Sequence, residues 1–400
     1  MGRILIFTGK GGVGKTSMAA AHARSSALEG KKTLLVSTDM AHNLNDIFAM
    51  ELGRTPKEVT NNLDAFEIDP AYVMEHEFQE IMRAIMNLLT SERFGNREID
   101  NTLMLPGLEE LFSLMKIQDI YDSGVYERII IDCAPTGETL SLLKFPELLS
   151  WYMEKLFPIE KVALKILVPV SKKAFKVELP DQKAMNEIER LYLKLADLQK
   201  LLKDRSVSSI RLVTMPEKMV VEETKRNYMY MNLYNYPVDG VYINRILSKD
   251  MEQTFFDQWV KIQSGYIEEL EEVFANIPIY RVAWFDTDLN GLEGIDRIVD
   301  TVLKDRDVFS VNSDIKGERF EQDDESYQLY IPLPFAAKDK VDLHISGTDV
   351  IIKIGNFKRN IPIPNTLRSY EISGAKFVGE ELQIRFEPVN GLLNRREEAE

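Results

Sequence analysis

Cysteine is almost missing from this chain: one residue, Cys133, among 400. A lone thiol can form no intrachain disulfide and no paired-cysteine zinc or iron–sulfur site within one chain, so no zinc is expected and a reducing compartment is favoured. Basic charge is short as well. With 49 Lys and Arg against 64 Asp and Glu, the formal net charge of -15 argues against a surface built for nucleic acid, because phosphate contacts need clustered Lys and Arg. Long hydrophobic runs are also lacking. The first apolar run, residues 4–7, is far shorter than a signal-peptide core and leads straight into glycines. No stretch approaches the roughly 18 apolar residues of a membrane span, since even residues 162–170 contain Lys165 and Pro169. These absences point to a cytoplasmic, non-integral protein. The histidines His22, His42, His76 and His344 offer no metal-ligand spacing.

What is present is an ordinary globular composition, 44% hydrophobic and 28% charged, in a chain long enough for roughly two or three domains. Short runs rich in Ile, Val and Leu recur at residues 3–8, 33–37, 128–132, 210–214 and 238–244, separated by segments with helical spacing. Alternating strand and helix of this kind predicts an α/β fold with a mainly parallel sheet, its strands buried on both faces. Two stretches, about 70–125 and 145–205, interrupt the alternation with helical stripes such as Met74, Phe78, Ile81, Met82, Ile85, Met86 and Leu89, then Leu111, Phe112 and Met115. They predict a helical subdomain within a first domain spanning residues 1–305. Near Arg306 the pattern fails, residues 317–326 are a polar, mostly acidic run, and 306–326 read as a linker. Short alternating runs at 327–331, 341–345, 350–354 and 382–386 then predict a small all-β sandwich over 327–388, followed by a charged tail, 389–400.

Chemistry concentrates after the first strand. Gly9-Lys10-Gly11-Gly12-Val13-Gly14-Lys15-Thr16 satisfies GxxxxGK[ST] between a predicted strand and a helix that begins near Ser17. The glycines turn backbone N–H groups onto phosphates, the helix N-terminus adds its positive dipole end, and Lys15 neutralises the outer phosphates. Thr16 offers a hydroxyl to magnesium, and Asp132, ending a later strand, is the acid that would hold the same ion. The expected cofactors are therefore ATP and Mg2+. Asp39 stands at the end of the strand following the loop, where a carboxylate can orient water and accept its proton, or else cap the next helix.

The second lysine of the loop, Lys10, gives KGGVGK, which resembles the deviant Walker A motif of dimeric ATPases. Ser37-Thr38-Asp39-Met40-Ala41-His42 is similar to the first switch, DPAH, of the ArsA and tail-anchored-protein-targeting branch, with Met40 at the proline position. Asp132-Cys133-Ala134-Pro135-Thr136-Gly137-Glu138-Thr139 is similar to its second switch, DTAPTGHT, with Cys133 and Glu138 replacing threonine and histidine. Leu105-Pro106-Gly107-Leu108, the stretch around Asn244 and Arg245, and residues 284–292 resemble the same branch. The resemblance implies a homodimer in which Lys10 reaches the partner's phosphates, Asp39 positions the attacking water, and Asn244 reads adenine; a turn-capping role for Asn244 is the alternative. After the linker, Ile331-Pro332-Leu333-Pro334, Ile361-Pro362-Ile363-Pro364 and Gly374-Ala375-Lys376-Phe377 resemble the α-crystallin domain of small heat-shock proteins.

By this resemblance the chain is expected to be an ATP-gated dimer that binds hydrophobic polypeptide segments, such as membrane-protein tails, and releases them on hydrolysis, with a membrane receptor as a further partner. The methionines at 74, 82, 86, 115, 153 and 185 suit an adaptable apolar surface, or else pack as ordinary helix core. Two other functions stand beside this one. An arsenite-pump ATPase needs clustered thiolates, which one cysteine cannot supply. An ATP-binding holdase or scaffold would act through the β-module, which could equally serve to shield a surface.

Overall fold

The computed structural model describes residues 2–39, 43–76, 79, 108–133, 182–251, 255–311, 317–323, 326–346, 349–355, 357–367 and 369–388. The chain forms two compact units, Met1–Ser208 with Phe285–Phe309, and Ser209–Trp284 with Ser310–Glu400.

In the first unit, β1 (Arg3–Thr8) leads into α1 (Lys15–Leu28), and β2 (Thr33–Ser37) into α2 (Asn43–Phe48). A short hairpin, β3 (Lys57–Thr60) and β4 (Leu63–Glu67), is followed by α3 (Pro70–His76), α4 (Leu108–Asp122), β5 (Arg128–Asp132) and α5 (Gln182–Lys203). The strand order is β3-β4-β2-β5-β1, parallel except at the β3–β4 edge. Every residue of β1 and β2 is buried, which is why these strands read as unbroken apolar runs rather than alternations. α1 is rich in alanine, the best helix former, and buries Met18, Ala19, Ala20, Ala21, Ala23 and Ala27. It needs small side chains because it is covered twice, by the strands and by the helix Gly291–Ile298, whose Asp296 holds Arg24 at 2.8 Å. Gly30, at φ 78, ends it, donating to Ala27 O at 3.0 Å.

Within the predicted helical subdomain, α3 packs on α4 and α4 on α5. Met74 and Met115 are buried there with Leu111, Phe112, Leu195, Leu198 and Leu202, so these two methionines are core and present no adaptable surface. The other stripe residues at 78–89 and 151–157, and the side chain of Met185, lie outside the described residues.

The second unit opens with three parallel strands and their helices: β6 (Ser208–Thr214), α6 (Lys218–Leu233), β7 (Val238–Ile246), α7 (Asp257–Val273) and β8 (Ile279–Ala283). Then come β9 (Arg319–Asp323), β10 (Ser326–Pro332), β11 (Val341–Ser346), β12 (Asp349–Ile354), β13 (Phe357–Pro362), β14 (Tyr370–Val378) and β15 (Glu381–Pro388). They form an antiparallel four-stranded sheet, β14-β15-β10-β9, and a three-stranded one, β11-β12-β13. Leu329, Ile331, Leu382, Ile384 and Phe386 on one sheet, and Val350, Ile352, Ile354 and Ile361 on the other, supply the buried alternate positions of a sandwich. The sandwich is fastened to α6. Arg359 donates to Leu233 O at the helix's last residue and pairs with Glu318 at 2.6 Å; Tyr234 donates its hydroxyl to Lys358 O at 3.0 Å; Tyr230 stacks on Phe357 at 3.6 Å.

The expected α/β fold with a mainly parallel sheet and a small all-β region is what forms. The stretch read as a linker, 306–326, is corrected at both ends. Val308 and Phe309 are buried, Phe309 O accepting from Arg3 Nε at 3.2 Å while the Arg128 guanidinium covers its ring at 3.8 Å. Residues 319–323, polar enough to pass for linker, are the edge strand β9, paired to β10 with Phe320 opposite Leu329.

Candidate functional site

The loop joining β1 to α1 is shaped by backbone conformation. Gly12 takes φ 80 and Gly14 φ 95 with ψ 30, a left-handed region that L side chains avoid. At Gly11 and Gly12 a Cβ would meet no atom within 4 Å. Protein packing therefore does not explain glycine at these two positions; backbone conformation does at Gly12, and at Gly11 a bare amide open to a phosphate does. α1 begins at Lys15 with no side-chain cap on its first turn, leaving its N–H groups for a ligand. Lys15 is buried and folds back over the loop, its ammonium 3.4 Å from Lys10 O, while Lys10 is half-exposed. Gly9, Val13, Thr16 and Ser17 complete the loop and the helix start.

Parallel pairing brings three strand ends level. Asp132 of β5 lies in register with Phe7 of β1 and with Ser37 of β2, so Asp132 and the residues after Ser37 arrive beside the loop. Asp132 is 0% exposed, and its Oδ1 has no hydrogen-bond partner. Burial pushes its carboxyl up to about 7, against the pull of the Thr16 hydroxyl and the Lys15 ammonium; the nearby Asp39 charge pushes the same way as burial, and the Ser37 hydroxyl, 3.5 Å from Oδ2, pulls it back. The structure thus gathers Lys15, Thr16, Asp39 and Asp132 around one orphaned carboxylate oxygen. Two carboxylates and a hydroxyl are hard oxygen donors, and a buried acid this ill at ease alone fits a small divalent cation.

Asp39 donates its N–H to Ser37 Oγ at 3.2 Å. In the helix after it, the Leu44 N–H donates to Glu67 Oε1 at 3.1 Å, and the Asn45 amide reaches Glu67 Oε2 at 3.3 Å. Ser37 and Glu67 escaped the sequence reading. Ser37 carried a signal, a hydroxyl two residues before Asp39 at a strand end, as serine-based turns require; Glu67 carried none, since its contact is set by β2–β4 pairing.

Cys133 is buried, and burial pushes its thiol up to about 12, so it stays a protonated packing residue. Residues 40–42 and 134–140, with Met40, His42 and Glu138, lie outside the described residues, as do 105–107. Asn244 lies in the second unit at the end of β7, buried, its Oδ1 accepting from the Arg245 N–H at 2.8 Å; that bond supports the left-handed Arg245, φ 57. Among the described residues no group of three or more His, Cys, Asp and Glu could hold a metal, and no helix is long and apolar enough to cross a membrane.

The family model described as anion-transporting ATPase matches residues 2–304, and the HSP20-like domain found in ArsA matches residues 324–386. A Chlorobaculum tepidum protein provisionally named arsenical pump-driving ATPase is 33% identical over 388 residues, 96% of each chain. An Aquifex aeolicus protein of the same provisional name is 31% identical over 392 residues, 96% of this chain and 99% of its own. The Paramecium tetraurelia ATPase ASNA1 homolog 1 is 27% identical over 305 residues, 75% of this chain and 92% of its own. This chain belongs to the ArsA-type anion-transporting ATPase family, the family that includes ASNA1 homologues, and carries the HSP20-like domain found in ArsA.

Proposed function

We propose that this family ATPase works as a magnesium-dependent, cytoplasmic homodimer that binds hydrophobic polypeptide segments and releases them when ATP is hydrolysed. The observation that carries the ATPase chemistry is the orphaned Asp132 carboxylate set against Lys15, Thr16 and Asp39 beside a glycine loop. The loop amides and Lys15 bind the phosphates, and Lys15, pinned over the loop, orients the outermost one. Thr16 and Asp132 hold Mg2+, which when bound supplies positive charge to the phosphate oxygens. Asp39 orients the attacking water and takes its proton. Lys10, half-exposed, reaches a second copy's phosphates and stabilises the charge that develops as the bond breaks, and Asn244 faces adenine with its amide. The targeting reading draws on the helical insertion and the ASNA1 relatives. Pumping of arsenite fits the residues less well, because the lone thiol is buried and held protonated.

Purification of the full chain followed by identification of co-purifying polypeptides tests the client reading. Apolar helical segments that leave on Mg-ATP, and stay with a non-hydrolysable analogue, are expected. A fraction empty of polypeptide, or bound segments indifferent to hydrolysis, would remove it.

A further inference from the structure

One side chain joins the two acids of the candidate site. The Ser37 hydroxyl donates its only proton to Asp132 Oδ2 at 3.5 Å, and its oxygen accepts the Asp39 N–H at 3.2 Å. The residue between hangs on the same support, the Thr38 N–H donating to Asp132 O at 3.0 Å. Ser37 and Thr38 are thus fixed directly to the last residue of β5, and Asp39 is fixed to it through Ser37. Parallel pairing makes this possible, since Ser37 lies in register with Asp132 on one side and with Glu67 on the other. Glu67, buried like Ser37, serves the far end of the same segment, its carboxylate accepting from the Leu44 N–H at 3.1 Å and from the Asn45 side-chain amide at 3.3 Å. The Ile68 N–H donates to Ser37 O at 3.0 Å and keeps the two strand ends level. The chain that carries Asp39 is therefore held at both ends by one cross-strand pair.

We propose that Ser37 is a positioning residue for hydrolysis, tying the backbone of Asp39 to the acid that holds the cation. The inference rests on the ATPase reading above and adds to it the link between its two acids. Leu34, Leu35 and Val36, the interior of β2, are apolar, and a polar side chain buried at the end of such a strand costs free energy unless its hydrogen bonds return it. Both bonds of Ser37 go to the acids. The hydroxyl passes the position of the Asp132 carboxylate to the Asp39 backbone, from which the Asp39 carboxylate reaches out. Ser37 acts through these neighbours and does not meet the nucleotide. The phosphates are held by the loop amides and Lys15, so loss of the hydroxyl leaves binding in place and slows the step that needs water in line. A serine that only made Asp132 comfortable would behave differently: its loss would change affinity for the magnesium nucleotide and would be independent of Asp39.

Turnover and ATP affinity of the full chain, measured in wild type, Ser37→Ala, Asp39→Asn and the double variant with circular dichroism checking each fold, test the link. Ser37→Ala should lose roughly 10- to 100-fold in turnover with affinity within a few-fold of wild type, as expected when an orienting group is misplaced. In the Asp39→Asn background the same change should cost less than about twofold, because the acid it positions is already gone. Binding of ADP with aluminium fluoride, a mimic of the phosphoryl group in transfer, should weaken more in Ser37→Ala than binding of a non-hydrolysable ATP analogue. Ser37→Thr keeps the hydroxyl on a strand, where β-branched residues are favoured, and should recover turnover to within a few-fold of wild type. Normal turnover in Ser37→Ala beside a slow Asp39→Asn would overturn the inference and leave the ATPase reading standing. Losses that multiply in the double variant, a loss confined to affinity, or a threonine variant as slow as the alanine one would do the same. Wild-type turnover in Asp39→Asn would remove the role of Asp39 and the link together.

Discussion

Replacing Asp132 with asparagine should stabilise the nucleotide-free protein while weakening its response to Mg-ATP. The Asp132 carboxyl is fully buried with one oxygen unpartnered, and burial raises it from 3.8 to about 7. At about 1.4 kcal/mol per unit, ionising it inside the fold costs about 4 kcal/mol. The sign follows from where each state gives up its proton. Below pH 4 both folded and unfolded chains hold it, and the cost is absent. Between about 4 and 7 the unfolded chain ionises first, so wild-type stability falls as pH rises, and above 7 the full cost applies. Asparagine does not titrate. Its advantage should grow from near zero at pH 4 to about 4 kcal/mol at pH 7.5, less about 1–2 kcal/mol for weakened bonds to Thr16 and Ser37. Urea unfolding at pH 5 and 7.5, free of metal and nucleotide, measures this difference. Saturating Mg-ATP should then stabilise wild type by more than the variant, in which the loop amides and Lys15 still hold the phosphates but one holder of the cation is gone. An asparagine variant equal to or less stable than wild type at pH 7.5 would refute the strain assigned to Asp132.

Lys10→Ala should keep ATP affinity within a few-fold, because the loop amides and Lys15 remain, while turnover falls about 10²-fold or more; normal turnover would exclude a role across the dimer. Arg359→Ala strands Glu318 and the Leu233 carbonyl beneath the sandwich, and should destabilise the chain by about 3–5 kcal/mol in chemical denaturation; a loss under about 0.5 kcal/mol would show that the sandwich is held by other contacts. Cys133, buried with its thiol raised, should resist a thiol-reactive dye in the native protein and react fully once unfolded; rapid native labelling would contradict its burial.

The α/β core was legible because strands buried on both faces leave unbroken apolar runs, and the loop because glycine, lysine and threonine at fixed spacing between strand and helix admit few other readings. β9 was hidden. Arg319-Phe320-Glu321-Gln322-Asp323 has one apolar side chain, since an edge strand stays polar where it faces water, and its pairing comes from β10. Helical stripes announced α4 and α5, but spacing alone cannot tell a stripe that packs inward from one awaiting a client; Met74 and Met115 pack inward. The sandwich's bond to α6 joins Leu233 to Arg359 across 126 positions, and no local pattern foretells it. Ser37 was readable and missed; its hydroxyl serves Asp132 and the Asp39 N–H together.

The central claim is that this chain hydrolyses ATP with Asp39 orienting the water, and ATP turnover of Asp39→Asn, measured beside wild type with nucleotide affinity followed in parallel, tests it most directly. The account predicts magnesium-dependent turnover in wild type and a loss of roughly 10²- to 10⁴-fold in the variant, with affinity little changed. Turnover at the wild-type rate in Asp39→Asn would contradict it.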